Sequence, residues 1–396
     1  MKRLFRASAI ALGLAAGLVF AEIGLRVFRV QPERYAPPRW LAWDGVKFRE
    51  GDIWGGGLIS GRGRIKRDSP FVDAGVVMGE YRPGVVFKVA YASNPRGYFD
   101  SENSVRMSVN SLGLRGEEVG AEKPPGMYRI LGLGDSFAFG EGVKDDDTFL
   151  HRLQLRLNAT PHQANNPTIQ QSNNPPATRY EVLNAGVQGY NTRDEVVYLE
   201  HRWLALKPDL VLIVFYINDA YDDSAILNNG QELGISSTQP LGMARYSYLW
   251  DLAQYRYTAY RNSKTVEAYY NQNYFADARK VLENPGTNKM DWTVCRAALE
   301  RAVQLTDERK LKLGLVMFPD LYKLKGGYPF LEVHKLVRET CHRLGVPFLD
   351  LLDTFRGHDP KTLWVHPSDH HPNEKAHAMA EEAIERFVRK EFLKDE

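Results

Sequence analysis

The sequence predicts an α/β fold, a parallel central sheet covered by helices on both faces. Three observations point to it. From Met127 onward, short apolar runs of strand length alternate with segments whose apolar residues recur every three to four positions, and repeated strand–helix alternation builds a parallel sheet under helical covers. The run LVLIVF at 210–215 is apolar throughout, as a strand buried on both faces requires. Strand-like runs also end in GDS (134–136), GVQGYN (186–191) and YIND (216–219), at the strand ends where such sheets bind ligands.

In chain order, MKRLFR places Lys2, Arg3 and Arg6 before the uncharged apolar stretch Ala7–Ala21. As a helix its 15 residues span roughly 22 Å at a rise of about 1.5 Å each, short of the ~30 Å bilayer core. That length suits the apolar region of a signal peptide, with Val19 and Ala21 as the small residues before a cut. Ile23, Leu25, Val27 and Phe28 prolong the apolar face, which suits a retained anchor; a buried helix is the third reading. The first two agree that residues 1–30 keep their basic end in the cytoplasm. The rest is then exported, either tethered to the cell membrane by a single pass or released to the periplasm.

Residues 31–126 hold many Gly, Pro and Arg with short alternating runs, GVVFKVAYA and VRMSVNSLGLRG, and read as a small β-rich segment. Residues 127–396 carry the alternation. MYRILGL is a strand, and DTFLHRLQLRLN a helix with Phe149, Leu150, Leu153 and Leu157 on one face. The polar Pro/Asn-rich stretch 158–178 is a surface insertion. YEVLNAGVQGYN is a strand with a glycine-rich end, and Thr192 with Glu195 forms a capping box for the helix after it. A tyrosine-rich insertion fills 220–290; its Tyr246, Tyr248, Trp250, Tyr255, Tyr257 and Tyr260 read as the insertion's own small core rather than a sugar-stacking surface. Then follow a helix around 292–309, the strand KLGLVMF, a helix around 329–343, the strand VPFLDL, and a last helix from Asn373.

Composition narrows the function. Lys and Arg number 51 against 49 Asp and Glu, a net charge of +2, with no basic stripe of the kind nucleic acid requires. Cys295 and Cys341 each fall on the apolar face of a helical pattern, as buried free thiols do, and neither has the neighbours of a metal site. No metal or cofactor is expected.

The strand ends and the stretch HPSDHHPN (366–373) together supply a serine, a glycine amide, an asparagine and an Asp/His group. Acyl transfer by serine needs a base for the hydroxyl proton and a group that holds that base. It also needs donors aimed at the developing oxyanion. His371 with Asp369 supplies the first two around Ser136. The backbone N–H of Ser136, the N–H of Gly189 and the side-chain amide of Asn218 supply the third.

These four blocks resemble the SGNH/GDSL hydrolases, membrane-attached bacterial type. Gly134-Asp135-Ser136-Phe137 is similar to their first block, NAGVQGYN with Gly189 to the second, Tyr216-Ile217-Asn218-Asp219 to the third, and Asp369-His370-His371-Pro372-Asn373 to the last. VNSLGLRGEEV (109–119) resembles a stretch before the catalytic domain of membrane-attached members. The resemblance covers about Met127–Glu396. It implies a flavodoxin-like three-layer α/β/α fold and hydrolysis or transfer of ester-linked acyl groups, among them O-acetyl groups on envelope or extracellular carbohydrate. An O-acyltransferase with the same triad and a catalytically silent envelope scaffold are the competing readings. Three positions depart from the pattern: Tyr216 replaces a glycine, D-x-H replaces D-x-x-H, and His370 adjoins His371. His371 is preferred as the base because Pro372-Asn373 follows it as in the family. Asp369 or a backbone carbonyl orients it.

The N-terminal reading makes a first prediction. A reporter enzyme active only in the periplasm, fused after residue 40, is active; a fusion working only in the cytoplasm would overturn it.

Overall fold

In the computed structural model the described residues are 2–34, 38–42, 71–72, 80–159, 179–220, 238–275 and 291–393. Of the two expected insertions, 160–178, 221–237 and 276–290 lie outside them. The chain forms two compact units, Met1–Tyr35 with Asn229–Tyr269, and Ala36–Asn228 with Tyr270–Glu396.

Helix α1 spans Lys2–Val27. Its Phe5–Val27 stretch, of mean hydropathy 1.9 and unburied, is long and apolar enough to cross a membrane. Five short strands follow: β1 (Arg39–Ala42), β2 (Phe71–Val72), β3 (Glu80–Tyr81), β4 (Val86–Ala90) and β5 (Ser104–Ser108). They form an antiparallel sheet ordered β1-β4-β5 and a β2-β3 pair. Phe87, Val89, Val105 and Met107 are buried, and Tyr81 stacks on Phe139 with ring centroids 4.4 Å apart. The β-rich segment thereby packs on the turn that carries Ser136.

Strand β6 (Met127–Gly134) leads through Asp135 into the short α2 (Ser136–Phe139), then α3 (Phe149–Asn158), β7 (Arg179–Gly186), α4 (Thr192–His201) and β8 (Leu210–Phe215). The long α5 (Tyr248–Phe275) precedes α6 (Trp292–Arg309), β9 (Lys312–Met317), α7 (Leu331–Leu344), β10 (Phe348–Asp350) and the single turn α8 (Leu352–Phe355). A hairpin of β11 (Trp364–His366) and β12 (Asp369–Pro372) comes before the last helix, α9 (Glu374–Phe392).

The central sheet runs β7-β6-β8-β9-β10, all parallel. Numbered from β6 this is order 2-1-3-4-5, the flavodoxin-like doubly wound arrangement, whose switch point lies at the carboxyl ends of β6 and β8. Helices α3 and α9 pack together in one layer and α4 and α6 in the other. All six residues of β8 are buried, and burying each such Leu, Ile, Val or Phe side chain contributes roughly 1.5–3 kcal/mol. Helix α3 buries Phe149, Leu150, Leu153 and Leu157. Cys295 and Cys341 are buried free thiols.

Two local readings are corrected. Asn191, not Thr192, caps α4, its side chain accepting the Asp194 N–H at 3.1 Å; the Thr192 hydroxyl instead donates to Asp219 at 3.1 Å. The aromatic set of the insertion divides. Tyr248 and Tyr255 are half-buried, whereas Tyr246, Trp250, Tyr257 and Tyr260 are exposed, because a helix buries only one face of such a set.

Gly186 brings β7 against α2: a Cβ there would lie 2.3 Å from the Phe139 amide nitrogen. Gly186→Ala is therefore expected to destabilise the fold by about 1–3 kcal/mol, read from the urea unfolding midpoint. An unchanged midpoint would show that the contact is loose.

Candidate active site

Ser136 is held by the residue before it. Strand β6 ends at Gly134, and Asp135, wholly buried, caps α2 by accepting the Phe137 N–H at 2.8 Å. The other Asp135 oxygen accepts from the Asn218 side-chain amide at 2.9 Å. Asn218 lies in the turn Ile217–Ala220 that follows β8, so one carboxylate ties the ends of the two strands that flank the switch point. The Val187 N–H donates to the Gly134 carbonyl at 2.9 Å, which brings the end of β7 to the same place. Gly189 is buried in the turn that Tyr190 N–H closes on Val187 O at 3.1 Å. Its φ of 78° is one that glycine adopts without strain.

The β11–β12 hairpin brings the Asp/His group to the serine. His371 Nε2 lies 2.8 Å from Ser136 Oγ, and His371 Nδ1 lies 2.5 Å from Asp369 Oδ1. Alternation along a strand places residues two apart on one face, which is how D-x-H serves here in place of D-x-x-H. His370, between them, points the other way and stacks on Trp364 with ring centroids 3.8 Å apart. The remaining Asp369 oxygen accepts the Tyr91 hydroxyl at 2.8 Å. His366 is buried, its ring between Ser93 Oγ at 3.0 Å and Ser368 Oγ at 2.7 Å.

Among the predicted residues, Ser136, His371 and Asp369 thus form one hydrogen-bonded line, and Asn218 bonds to Asp135, the residue before the serine. Gly189 makes no hydrogen bond to these four among the described residues. Tyr216 has its own explanation: its ring stacks on Phe137 at 3.8 Å and its hydroxyl donates to Asp320 at 3.2 Å. Burial pushes the Asp320 carboxyl up to about 6.

Charge at the site is set by burial against partners. Burial raises the Asp369 carboxyl, but the facing His371 and the hydrogen bonds from His371 and Tyr91 outweigh it and leave it below the ordinary 3.8. Burial disfavours the His371 imidazolium, yet the Asp369 and Glu141 carboxylates raise its pKa above the ordinary 6.5. Glu141 is a residue that the sequence reading missed. It is buried, neither carboxyl oxygen has a hydrogen-bond partner among the described residues, and Oε2 lies 3.8 Å from His371 Nε2. Burial pushes its carboxyl up to about 8. Glu141, Asp369 and His371 offer ligand atoms within 4.8 Å of one another, an arrangement open to a cation. Both ring nitrogens of His371 are already engaged, one by Ser136 and one by Asp369.

Residues 133–379 match the GDSL-like lipase/acylhydrolase family. The match covers more than half of the chain, which belongs to this family and is by class a hydrolase of ester bonds. No curated protein matches it. Among solved structures it is similar to a two-domain esterase, CEX, active on acetylated mannans and co-crystallized with mannopentaose, at 15% identity and TM-score 0.36 over 68% of this chain and 50% of that one. It is similar to a catalytic mutant of Axe2, an acetylxylan esterase from Geobacillus stearothermophilus, at 15% identity and TM-score 0.37 over 66% and 94%. It is likewise similar to the acetyl xylan esterase AlAXEase, at 14% identity and TM-score 0.37 over 66% and 99%. The chain spans about half the length of the first of these.

Glu141 generates a pH prediction. A histidine acts as base only when neutral, so with His371 in that role turnover should rise with pH through its pKa, above 6.5. Glu141→Gln removes a negative charge that favours the imidazolium, so the acid limb of kcat/KM should move to lower pH. A limb that stays in place would mean that Glu141 carries no charge where His371 titrates.

Proposed function

We propose that this chain is a membrane-attached, extracytoplasmic serine esterase that removes acyl groups, O-acetyl among them, from carbohydrate of the cell envelope or its surroundings. The observation that carries the proposal is the unbroken line Ser136 Oγ–His371 Nε2 at 2.8 Å and His371 Nδ1–Asp369 Oδ1 at 2.5 Å. Residues 1–30 form the anchor, 31–126 the β-rich segment that contributes Tyr91, and 127–396 the hydrolase domain with insertions at 158–178 and 220–290. The anchor is supported by the apolar α1. The carbohydrate acceptor follows from the proposed location.

In this mechanism His371 takes the Ser136 proton on Nε2 as Oγ bonds to the ester carbonyl carbon. Asp369 holds the Nδ1–H and stabilises the imidazolium. The oxyanion is met by the Ser136 and Gly189 backbone N–H groups and by the Asn218 amide, whose second N–H is left after the bond to Asp135. As the carbon–oxygen bond of the leaving alcohol breaks, His371 returns its proton to that oxygen. Water, deprotonated by the same nitrogen, then adds to the acyl carbon, and as the bond to Oγ breaks His371 returns that proton to Oγ, freeing the acid and Ser136.

The test is turnover of short-chain aryl esters by the purified full chain, with acetylated xylo- and manno-oligosaccharides as second substrates. Ser136→Ala and His371→Ala should each lower kcat by about 10⁴-fold or more, with the double variant little worse, since groups acting as one unit are not additive. His370→Ala should fall far less. Asn218→Ala should lose on the order of 10²–10³. A dead His370→Ala beside an active His371→Ala would reassign the base. Acyl transfer to added sugar in preference to water would make the enzyme a transferase.

A further inference from the structure

The end of α1 is bonded to the insertion inside the unit that contains both, Met1–Tyr35 and Asn229–Tyr269. The Glu22 carboxylate accepts the N–H groups of Tyr248 at 3.0 Å and Leu249 at 2.9 Å and the Ser247 hydroxyl at 2.9 Å. It therefore caps the first turn of α5, where free N–H groups and the helix dipole favour an anion. Arg26 donates to the Tyr246 carbonyl and lies over the Tyr248 ring. Arg34 forks onto Asp251 at 2.6 and 3.1 Å and donates to the Thr238 carbonyl at 2.8 Å. These bonds fix the start of α5 beside the last turns of α1.

That position has a consequence for the surface. The uncharged stretch Ala7–Ala21 ends one residue before Glu22, so α5 begins at the level where the span leaves hydrocarbon. Leu241, Met243, Tyr246, Trp250, Tyr257 and Tyr260 are exposed there, Tyr246 to 75% and Met243 to 67%. Tyr246 precedes the helix in the turn before it, and Trp250, Tyr257 and Tyr260 recur at seven- and three-residue spacing along one face of α5. Arg245, Arg256 and Arg261 are exposed on the same stretch. The acids Asp251 and Glu267 are buried and paired with Arg34 and Lys264. Among the described residues of this stretch the outward charge is therefore basic. Tyr and Trp flanked by Arg are the composition of a membrane–water interface, and an exposed apolar patch of this kind marks a contact.

We propose that this face of the insertion lies in the headgroup layer of the bilayer that α1 crosses. Trp250 and Tyr257 sit at the acyl boundary, and Arg245, Arg256 and Arg261 meet anionic phospholipid headgroups. The proposal rests on the membrane-attached reading of α1.

The full chain, reconstituted in phosphatidylcholine vesicles with and without phosphatidylglycerol, carries one spin label at a time through Leu14→Cys, Trp250→Cys or Tyr257→Cys. Cys295 and Cys341 are buried, and the unsubstituted chain serves as the labelling blank. Each labelled chain is first checked to melt with the unsubstituted one, which these exposed positions allow. Accessibility to oxygen against a water-soluble nickel chelate then gives depth. A deep Leu14 label with interfacial labels at 250 and 257 is expected. The oxygen-to-nickel ratio at 250 should fall severalfold without phosphatidylglycerol, or in the Arg256→Glu/Arg261→Glu background. Aqueous readings at 250 and 257 beside a deep Leu14 would overturn the surface and leave the anchor standing. An aqueous Leu14 would remove the anchor and the surface with it. Spin–spin broadening at 250 would mean that a second copy covers the face, and indifference to lipid charge would refute the headgroup contact.

Discussion

One imidazole ring joins three distant parts of this molecule. His371 reaches Ser136 with one nitrogen and Asp369 with the other, bridging residues 235 positions apart. The sheet puts the serine at the end of β6, the hairpin β11–β12 puts the histidine above it, and alternation along β12 aligns Asp369 while turning His370 away. Tyr91 reaches across 278 positions to the far oxygen of Asp369, so the β-rich segment completes the acid's hydrogen bonding.

Around that ring the structure buries more carboxyls than it pairs. Asp369 has three donors and is held below its ordinary pKa. Glu141, at the same depth, has none among the described residues and is raised to about 8. Asp219 and Glu195 lie behind the serine turn and are raised by burial as well. The two kinds of group act oppositely on stability. Asp369, depressed, contributes above its unfolded pKa and loses that contribution as pH falls through the folded one. Glu141, raised, contributes fully below 4.5 and loses that contribution as pH rises through about 8. Below the Glu141 pKa of about 8, the negative charge beside His371 sits on Asp369, whose hydrogen bonds compensate desolvation.

Much of the fold was legible in the sequence because its signals are local. The apolar run 210–215 and the face of α3 state their burial outright, and the strand ends carry the candidate residues. What escaped was set by tertiary contact. Thr192 has the spacing of a cap, but its hydroxyl goes to Asp219, and Asn191 does the capping. Tyr91 looks like any aromatic of a small sheet, since its partner lies almost the whole domain away. Glu141 left a faint trace, an acid among the apolar and glycine residues of FAFGEGV. Tyr216 departs from the glycine of the family pattern, and only the stack on Phe137 and the bond to Asp320 give it a reason.

The central claim is that Ser136 is a nucleophile made reactive by His371. It is tested most directly by covalent capture: incubate the full chain with a fluorophosphonate and map the adduct by peptide mass spectrometry. A single adduct on Ser136, formed rapidly in the unsubstituted chain and drastically more slowly in His371→Ala, is the predicted result. An adduct on another serine, or equal labelling of Ser136 with and without His371, would contradict it.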